Sequence, residues 1–193
     1  MAGGVFAQTQ PQVQVLPGSD PDLRQQLKDE TARKKLLLSS LFGRLRQSED
    51  IASARVLEQA IWKTWLRSGS PTIDLLMKQV IKSMARGEYI RTLKLLDHIV
   101  ELAPDFSEGW NKRATVLYVV GKFQASLDDI ERVLEIEPRH FGALSGMGLV
   151  LQRMGDKKGA LNAFRQALSV HPHLPTAKLA VKTLSKEVEG QGI

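Results

Sequence analysis

The chain has 193 residues, of which 42% are hydrophobic and 25% are charged, the proportions of an ordinary globular protein with enough length to bury a core. It contains no cysteine, which excludes a disulfide framework, a thiolate metal site and a cysteine nucleophile, and it has no run of about 18 apolar residues of the kind that spans a membrane. The formal charge of +6 arises before residue 73 and after residue 140, and not along one segment, which argues against a nucleic-acid-binding stripe.

Residues 1–20 are rich in Gln, Gly, Pro and Val, carry almost no charge and have no helical period, so we expect this segment to be disordered. The stretch VFAQ around Ala7 resembles the end of a secretory signal, with a small residue at the cleavage point. The basic and apolar regions that should precede such a point are not in the sequence. Two interpretations follow: the remnant of an export signal, or a chance match.

Two helical patterns come next, over residues 22–46 and 49–67, and SGSPT at residues 68–72 ends the pair. Together they predict a degenerate N-terminal helical hairpin over residues 21–72. The predicted apolar faces are Leu37, Leu38, Leu41, Phe42 and Leu45 in the first helix, and Ile51, Val56, Leu57, Ile61 and Trp65 in the second.

The segment ARKKLLLSSLFGRLR in the first of these helices is basic and amphipathic. Such a helix can lie on an anionic membrane, or its apolar side can face a neighbouring helix. We favour the second interpretation because a partner helix follows immediately. Trp62 and Trp65 are expected, by the same argument, to be buried and not to anchor the chain in a bilayer.

A repeat of 34 residues governs the rest of the chain. Gly87, Gly121 and Gly155 recur at this spacing, and so do Pro104, Pro138 and Pro172. The two registers define units 73–106, 107–140 and 141–174. Equivalent positions carry Leu76, Trp110 and Leu144, then Val80, Ala114 and Gly148, then Thr92, Ser126 and Ala160, then Leu96, Ile130 and Phe164, and then Ile99, Val133 and Ala167.

This pattern resembles the tetratricopeptide repeat (TPR) family in both its period and its alternation of bulky and small positions. The resemblance implies an all-α fold, a right-handed superhelix (solenoid) of antiparallel helix pairs. In each pair the glycine ends the first helix, the small residues permit close approach and the proline ends the second helix. Residues 175–190 are expected to form a capping helix, with Leu179, Leu184 and Val188 on the last repeat.

Catalytic chemistry finds little support in the sequence. None of the histidines has the spacing of a zinc-protease motif, and the two in HPH at residues 171–173 are interpreted as part of a polar loop after the last repeat. Asp128 and Asp129 are adjacent and so do not form an acid–base pair. We predict that the protein is not an enzyme and has no cofactor and no metal site.

In the TPR family the first helices of successive units line a concave groove that receives a peptide or helix. The resemblance and the helical spacing together place ten residues there: Met77, Ile81, Met84, Asn111, Lys112, Thr115, Tyr118, Ser145, Leu149 and Gln152. We therefore predict a scaffold or adaptor that binds another protein or peptide. The methionines in this set suit adaptable apolar contacts.

Two other functions remain open, self-association of a structural repeat protein and, more weakly, nucleic-acid binding. The VFAQ stretch, together with the export of many similar small repeat proteins in Gram-negative bacteria, favours a periplasmic protein of the cell envelope; the cytoplasm is the alternative.

Lys112 and Arg113 are neighbours with different predicted roles. Arg113 stands where the family usually has Leu, so we expect its stem to pack and its guanidinium to reach an acid, either Asp97 or Asp129. Lys112 lies about 100° around the helix from Arg113, beside Asn111, and is predicted to contact the ligand.

Overall fold

The computed structural model describes residues 21–190, and within that range its regular structure consists of helices alone. This confirms the all-α prediction, whereas segment 1–20, with its predicted disorder and its VFAQ stretch, lies outside the described residues. The helices are α1 Pro21–Arg46, α2 Ile51–Trp65, α3 Pro71–Ala85, α4 Tyr89–Leu102, α5 Ser107–Val119, α6 Phe123–Ile136, α7 Phe141–Arg153, α8 Lys157–Val170 and α9 Pro175–Glu189.

The chain divides into two compact units between Leu37 and Leu38. The described part of the first unit is the beginning of α1. The second unit holds the rest of α1 and all the helices that follow. We call its residues 38–65 the N-terminal hairpin.

Each repeat turns at a glycine in the left-handed region, as predicted. The φ angles of Gly87, Gly121 and Gly155 are 71°, 79° and 89°, values that side chains disfavour. The amide after each glycine donates back across the end of the helix, as from Lys122 N to Leu117 O at 2.9 Å. This is the Schellman motif, which satisfies carbonyls that the end of a helix leaves free.

Small residues bring the two helices of a repeat together, which is also as predicted. The Ser126 hydroxyl donates to the Ala114 carbonyl at 2.8 Å, a bond between α6 and α5 that requires close approach. A Cβ placed on Gly148 would lie 2.7 Å from the Phe164 ring, so the glycine makes room for that ring. Ala160 is fully buried in the same pair.

The N-terminal hairpin packs on the last repeat. Phe42, Ile61 and Trp65 form one apolar cluster with Phe141 at the start of α7, and Val170 packs against it from the end of α8. Trp65 is 2% exposed, which confirms that it is buried.

The prediction of the buried faces of the two hairpin helices is wrong in part. Leu37, Ile51 and Val56 are 50%, 52% and 69% exposed, because the buried stripe of each helix is narrower than its run of apolar residues. The stripe of α2 consists of Ala54, Leu57, Ile61 and Trp65.

Helix α9 covers the last repeat, but with a different face from the one predicted. Ala177 and Leu184 are buried and Val188 is partly buried, whereas Leu179 is 68% exposed. Leu179 stands two residues after Ala177, about 200° around the helix, and so points away from the repeat.

Candidate functional site

A cleft opens between α5 and α7, and α6 supplies part of its wall. It encloses about 360 Å³, including space open to solvent. We call it the α5–α7 cleft. It is lined by Asn111, Ala114, Thr115, Tyr118, Ser126, Ile130, Gly142, Gly146, Leu149 and Val150. Four residues of the predicted groove, Asn111, Thr115, Tyr118 and Leu149, are therefore brought together.

The polar groups that α5 contributes to the cleft differ in accessibility. Asn111 is buried, and its side-chain amide donates to the Glu108 carboxylate at 3.3 Å. Thr115 is exposed, although its hydroxyl donates to the Asn111 carbonyl at 2.8 Å. The Tyr118 hydroxyl accepts a hydrogen bond from Arg153 Nε at 3.3 Å. Thr115 and Tyr118 are the α5 groups that a ligand can reach, and Asn111 is held behind them.

The other predicted groove residues lie outside the lining of this cleft. Met77 is 3% exposed and belongs to the core of the first repeat, whereas Ile81 on the same helix is 46% exposed and Met84 is partly buried. On α7, Gln152 is exposed, and the Ser145 hydroxyl is buried with no partner among the described residues.

Arg113 takes the structural role that the sequence predicts. Its Nε and Nη2 donate to the two carboxylate oxygens of Asp129 at 2.8 and 2.7 Å, and its Nη1 donates to Asp97 at 2.9 Å. Its guanidinium also lies over the Trp110 ring, 4.8 Å from the centroid. The hydrogen bond with Asp129 is the main cause of the raised pKa of Arg113, so the guanidinium stays protonated. The arginine bridges α5 to α4 and α6.

Glu108 and His140 form a fully buried pair that sequence reasoning missed. The Glu108 carboxylate lies 2.7 Å from His140 Nε2, and both side chains are 0% exposed. The Ala143 amide donates to His140 Nδ1 at 3.0 Å, so the hydrogen-bond partners assign the ring proton to Nε2, which donates to Glu108. Burial opposes ionisation of Glu108, but the bond from His140 and the nearby charge of Lys112 outweigh it and lower the pKa of the carboxyl group.

Lys112 is engaged within the chain. Its Nζ lies 3.6 Å from Glu108 Oε2 and 5.5 Å from the centroid of the Trp62 ring, and its side chain is 24% exposed. Trp62 also fills the space beside Gly142, where a Cβ would lie 2.7 Å from the indole. The N-terminal hairpin thus covers the end of the α5–α7 cleft at which Gly142 lies.

Comparison with known proteins agrees with this architecture, although no family model matches the chain. A TPR repeat-containing protein of Rhizobium etli is 39% identical over 156 residues, which cover 81% of this chain and 76% of the relative. This chain belongs to the TPR repeat-containing proteins. The heat-shock protein cognate co-chaperone sgt12 of Aspergillus fumigatus is 26% identical over 177 residues, 88% of this chain, and the chain spans about half of it, 52%.

Solved structures confirm the TPR solenoid of antiparallel helix pairs. The Sgt2 TPR domain from Aspergillus fumigatus gives a TM-score of 0.59 at 24% identity, over 63% of this chain and 82% of that one. The first TPR of Spaghetti (RPAP3), bound to the HSP90 peptide SRMEEVD, gives a TM-score of 0.59 at 15% identity, over 61% of this chain and 93% of that one. Within residues 21–190 of this TPR protein, no helix is both long and apolar enough to cross a membrane.

The HPH stretch of this TPR protein contacts the N-terminal hairpin. His171 Nε2 lies 3.3 Å from Glu58 Oε2, and His173 Nε2 donates to the Ser48 carbonyl at 2.8 Å. Among the described residues no cluster of three or more His, Asp or Glu side chains is arranged to hold a metal ion. The two histidines therefore join elements that are more than 100 residues apart in the sequence.

Proposed function

We propose that this TPR protein is an adaptor that binds a peptide or helix of a partner protein in the α5–α7 cleft. The observation that carries the proposal is the cleft itself, in which the accessible groups of Thr115 and Tyr118 on α5 stand opposite Leu149 on α7. A cleft of mixed polar and apolar character suits peptide recognition, because the polar groups set register and the apolar groups supply contact area.

The remaining predicted groove residues have supporting roles in this proposal. Ile81 and Met84 extend the apolar surface toward the first repeat, and Gln152 extends the polar surface at the end of α7. Lys112 supplies positive charge beside the cleft. Three residues act from behind or below the contact surface: Met77, Asn111 and Ser145.

The relatives support the same class of function. The relative from Aspergillus fumigatus is named a co-chaperone, and the similar TPR domain of RPAP3 was solved with a bound HSP90 peptide. Both are proteins that engage other proteins. We propose that the partner of this chain is a segment of another protein, and the proposal extends to that class of partner and no further.

Site-specific photo-crosslinking tests the proposal. A photoreactive amino acid at Thr115, in the cleft, is expected to give partner adducts in native cells, and the same group at the exposed Glu131 on α6 serves as the matched control. Tyr118→Ala should reduce the Thr115 adducts without changing the helical circular dichroism signal. Equal adducts at both positions, or insensitivity to Tyr118→Ala, would place binding elsewhere.

Self-association is the second candidate function, and two exposed leucines favour it. Leu75 on α3 and Leu179 on α9, the first and last helices of the array that starts at residue 71, are 57% and 68% exposed. Apolar side chains at both ends suit end-to-end contact between copies. Light scattering tests this function by measuring the molar mass in solution. A mass that rises with protein concentration, and that is lower in a Leu75→Glu variant, is expected only if the protein self-associates.

We also propose that the protein acts in the bacterial cell envelope, on the strength of the VFAQ stretch, which lies outside the described residues. If VFAQ is a processing point, the native protein begins near Gln8 and is released with the periplasmic contents. Mass spectrometry of the native protein tests this, and an intact Met1 in a cytoplasmic fraction would reject it.

A further inference from the structure

Three of the four histidines of the chain meet the N-terminal hairpin. His140 stacks on Trp65, with ring centroids 4.0 Å apart and planes at 6°. His171 faces Glu58, and His173 bonds to Ser48. The fourth histidine, His98, is exposed on α4 and belongs to none of these contacts.

The three imidazoles make different use of their ring nitrogens. His140 accepts from the Ala143 amide at Nδ1 and donates to Glu108 at Nε2, so a second ring proton would break the bond to Ala143. The charged groups around this ring are Glu108 and, beyond it, Lys112.

Within the described part of the chain, His171 is buried without a full set of hydrogen-bond partners. It is 1% exposed, and its Nδ1 has no partner among the described residues. Burial outweighs the attraction of Glu58 and, with repulsion from His173, lowers the pKa of His171. Phe141 packs edge-on against the ring at 5.1 Å. His173 in turn lies near enough to Asp50 to interact with its charge.

The hairpin that these contacts hold covers one end of the α5–α7 cleft. Trp62 lies against Gly142, a lining residue of the cleft, and under the ammonium group of Lys112. Displacing the hairpin would uncover both of these residues.

We propose that His140, His171 and His173 form a latch that holds the N-terminal hairpin over the Gly142 end of the cleft, and that acidification loosens it through the buried ring of His171. The docked state favours the neutral ring of His171, so it binds fewer protons than the undocked state. Docking is therefore strongest above the ordinary imidazole pKa of 6.5 and weakens as the pH falls below it. The loosening of the hairpin does not depend on the proposed function. The further step, in which the loosened hairpin opens the cleft to a partner, rests on the proposed function.

Hydrogen–deuterium exchange of the full chain at pH 7.5 and 5.5, corrected for intrinsic rates, tests the latch without a partner. Exchange of α2 amides is expected to rise as the pH falls below 6.5, by at most about tenfold for each pH unit if one proton is taken up. A variant with both His171→Gln and His173→Gln should lose most of this dependence, because Gln can donate from its amide but does not titrate. His98→Gln is the matched control and should behave like the parent.

Gly142→Val provides a second, steric test. Its added side chain collides with Trp62, so it should raise α2 exchange already at pH 7.5. The proposal is overturned if α2 exchange in the parent is independent of pH, or if α6 to α8 loosen equally with α2. It is also overturned if His98→Gln removes the pH dependence, or if Gly142→Val leaves the α2 amides protected. A midpoint of the α2 exchange below about pH 5 would overturn it too, because carboxyl groups and not histidines titrate there. If the double variant does not fold, the pH midpoint of α2 exchange in the parent protein decides between histidine and carboxyl titration.

Discussion

Gly146 and Gly148 on α7 provide a matched measurement of how tightly the last repeat is packed. Replacing a glycine within a helix by alanine stabilises the helix by about 1 kcal/mol. At Gly146 the new Cβ would meet only Ile130 Cδ1, at an ordinary 3.5 Å, so that gain should be kept. At Gly148 it would lie 2.7 Å from the ring of Phe164, which is fully buried. Overpacking of this kind costs about 1–3 kcal/mol.

Gly146→Ala should therefore raise the free energy of unfolding by up to about 1 kcal/mol, and Gly148→Ala should leave it unchanged or lower it by up to about 2 kcal/mol. Urea denaturation followed by far-ultraviolet circular dichroism measures both, and the comparison is valid where the two m-values agree. Equal midpoints would refute the packing argument, because the two substitutions differ only in what the methyl group meets. A more stable Gly148→Ala variant would refute it more strongly.

Three further predictions follow from buried side chains. Arg113→Ala should lower stability by about 1–3 kcal/mol in urea denaturation, since it leaves the buried Asp129 carboxylate without its main donor. Ala160→Trp should lower the urea midpoint markedly, because overpacking a fully buried position costs about 1–3 kcal/mol or more. Glu108 has a lowered pKa, so its contribution to stability is present above its ordinary value of 4.5 and is lost as the pH falls below it. Glu108→Gln should therefore flatten the acid limb of a stability–pH curve.

The repeat geometry was predictable because its causes are local or periodic. The 34-residue spacing predicts the turns at Gly87, Gly121 and Gly155. Glycine adopts their left-handed conformation readily because it has no side chain. Arg113 was predictable for a related reason. A cation at a position that is apolar in the family must find an acid, and Asp129 is the one that takes two of its donors.

The errors in the sequence interpretation have a different cause. Val56 and Leu179 are apolar residues on amphipathic helices, and hydropathy does not distinguish an apolar residue at the edge of a stripe from one at its centre. The contact that decides it comes from another helix. For α2 that helix is α7, which starts 76 residues after α2 ends, and no local pattern connects the two.

The contacts around Glu108 and Trp62 were missed, although the repeat itself holds a signal for them. Asp74, Glu108 and Gly142 occupy equivalent positions, 34 residues apart. Asp74 accepts from the amide and hydroxyl of Ser68 and fixes the entry to the first repeat. Glu108 is buried against a histidine, and Gly142 leaves the space that Trp62 fills.

A repeat fold needs similar side chains at equivalent positions only where units stack on one another. Positions 74, 108 and 142 are not among the bulky and small positions that define this repeat, so their residues can differ. Two acids followed by a glycine at this position therefore indicate that the third unit receives a side chain from outside the array. The departures from the repeat locate the N-terminal hairpin, and the same departures place it beside the α5–α7 cleft.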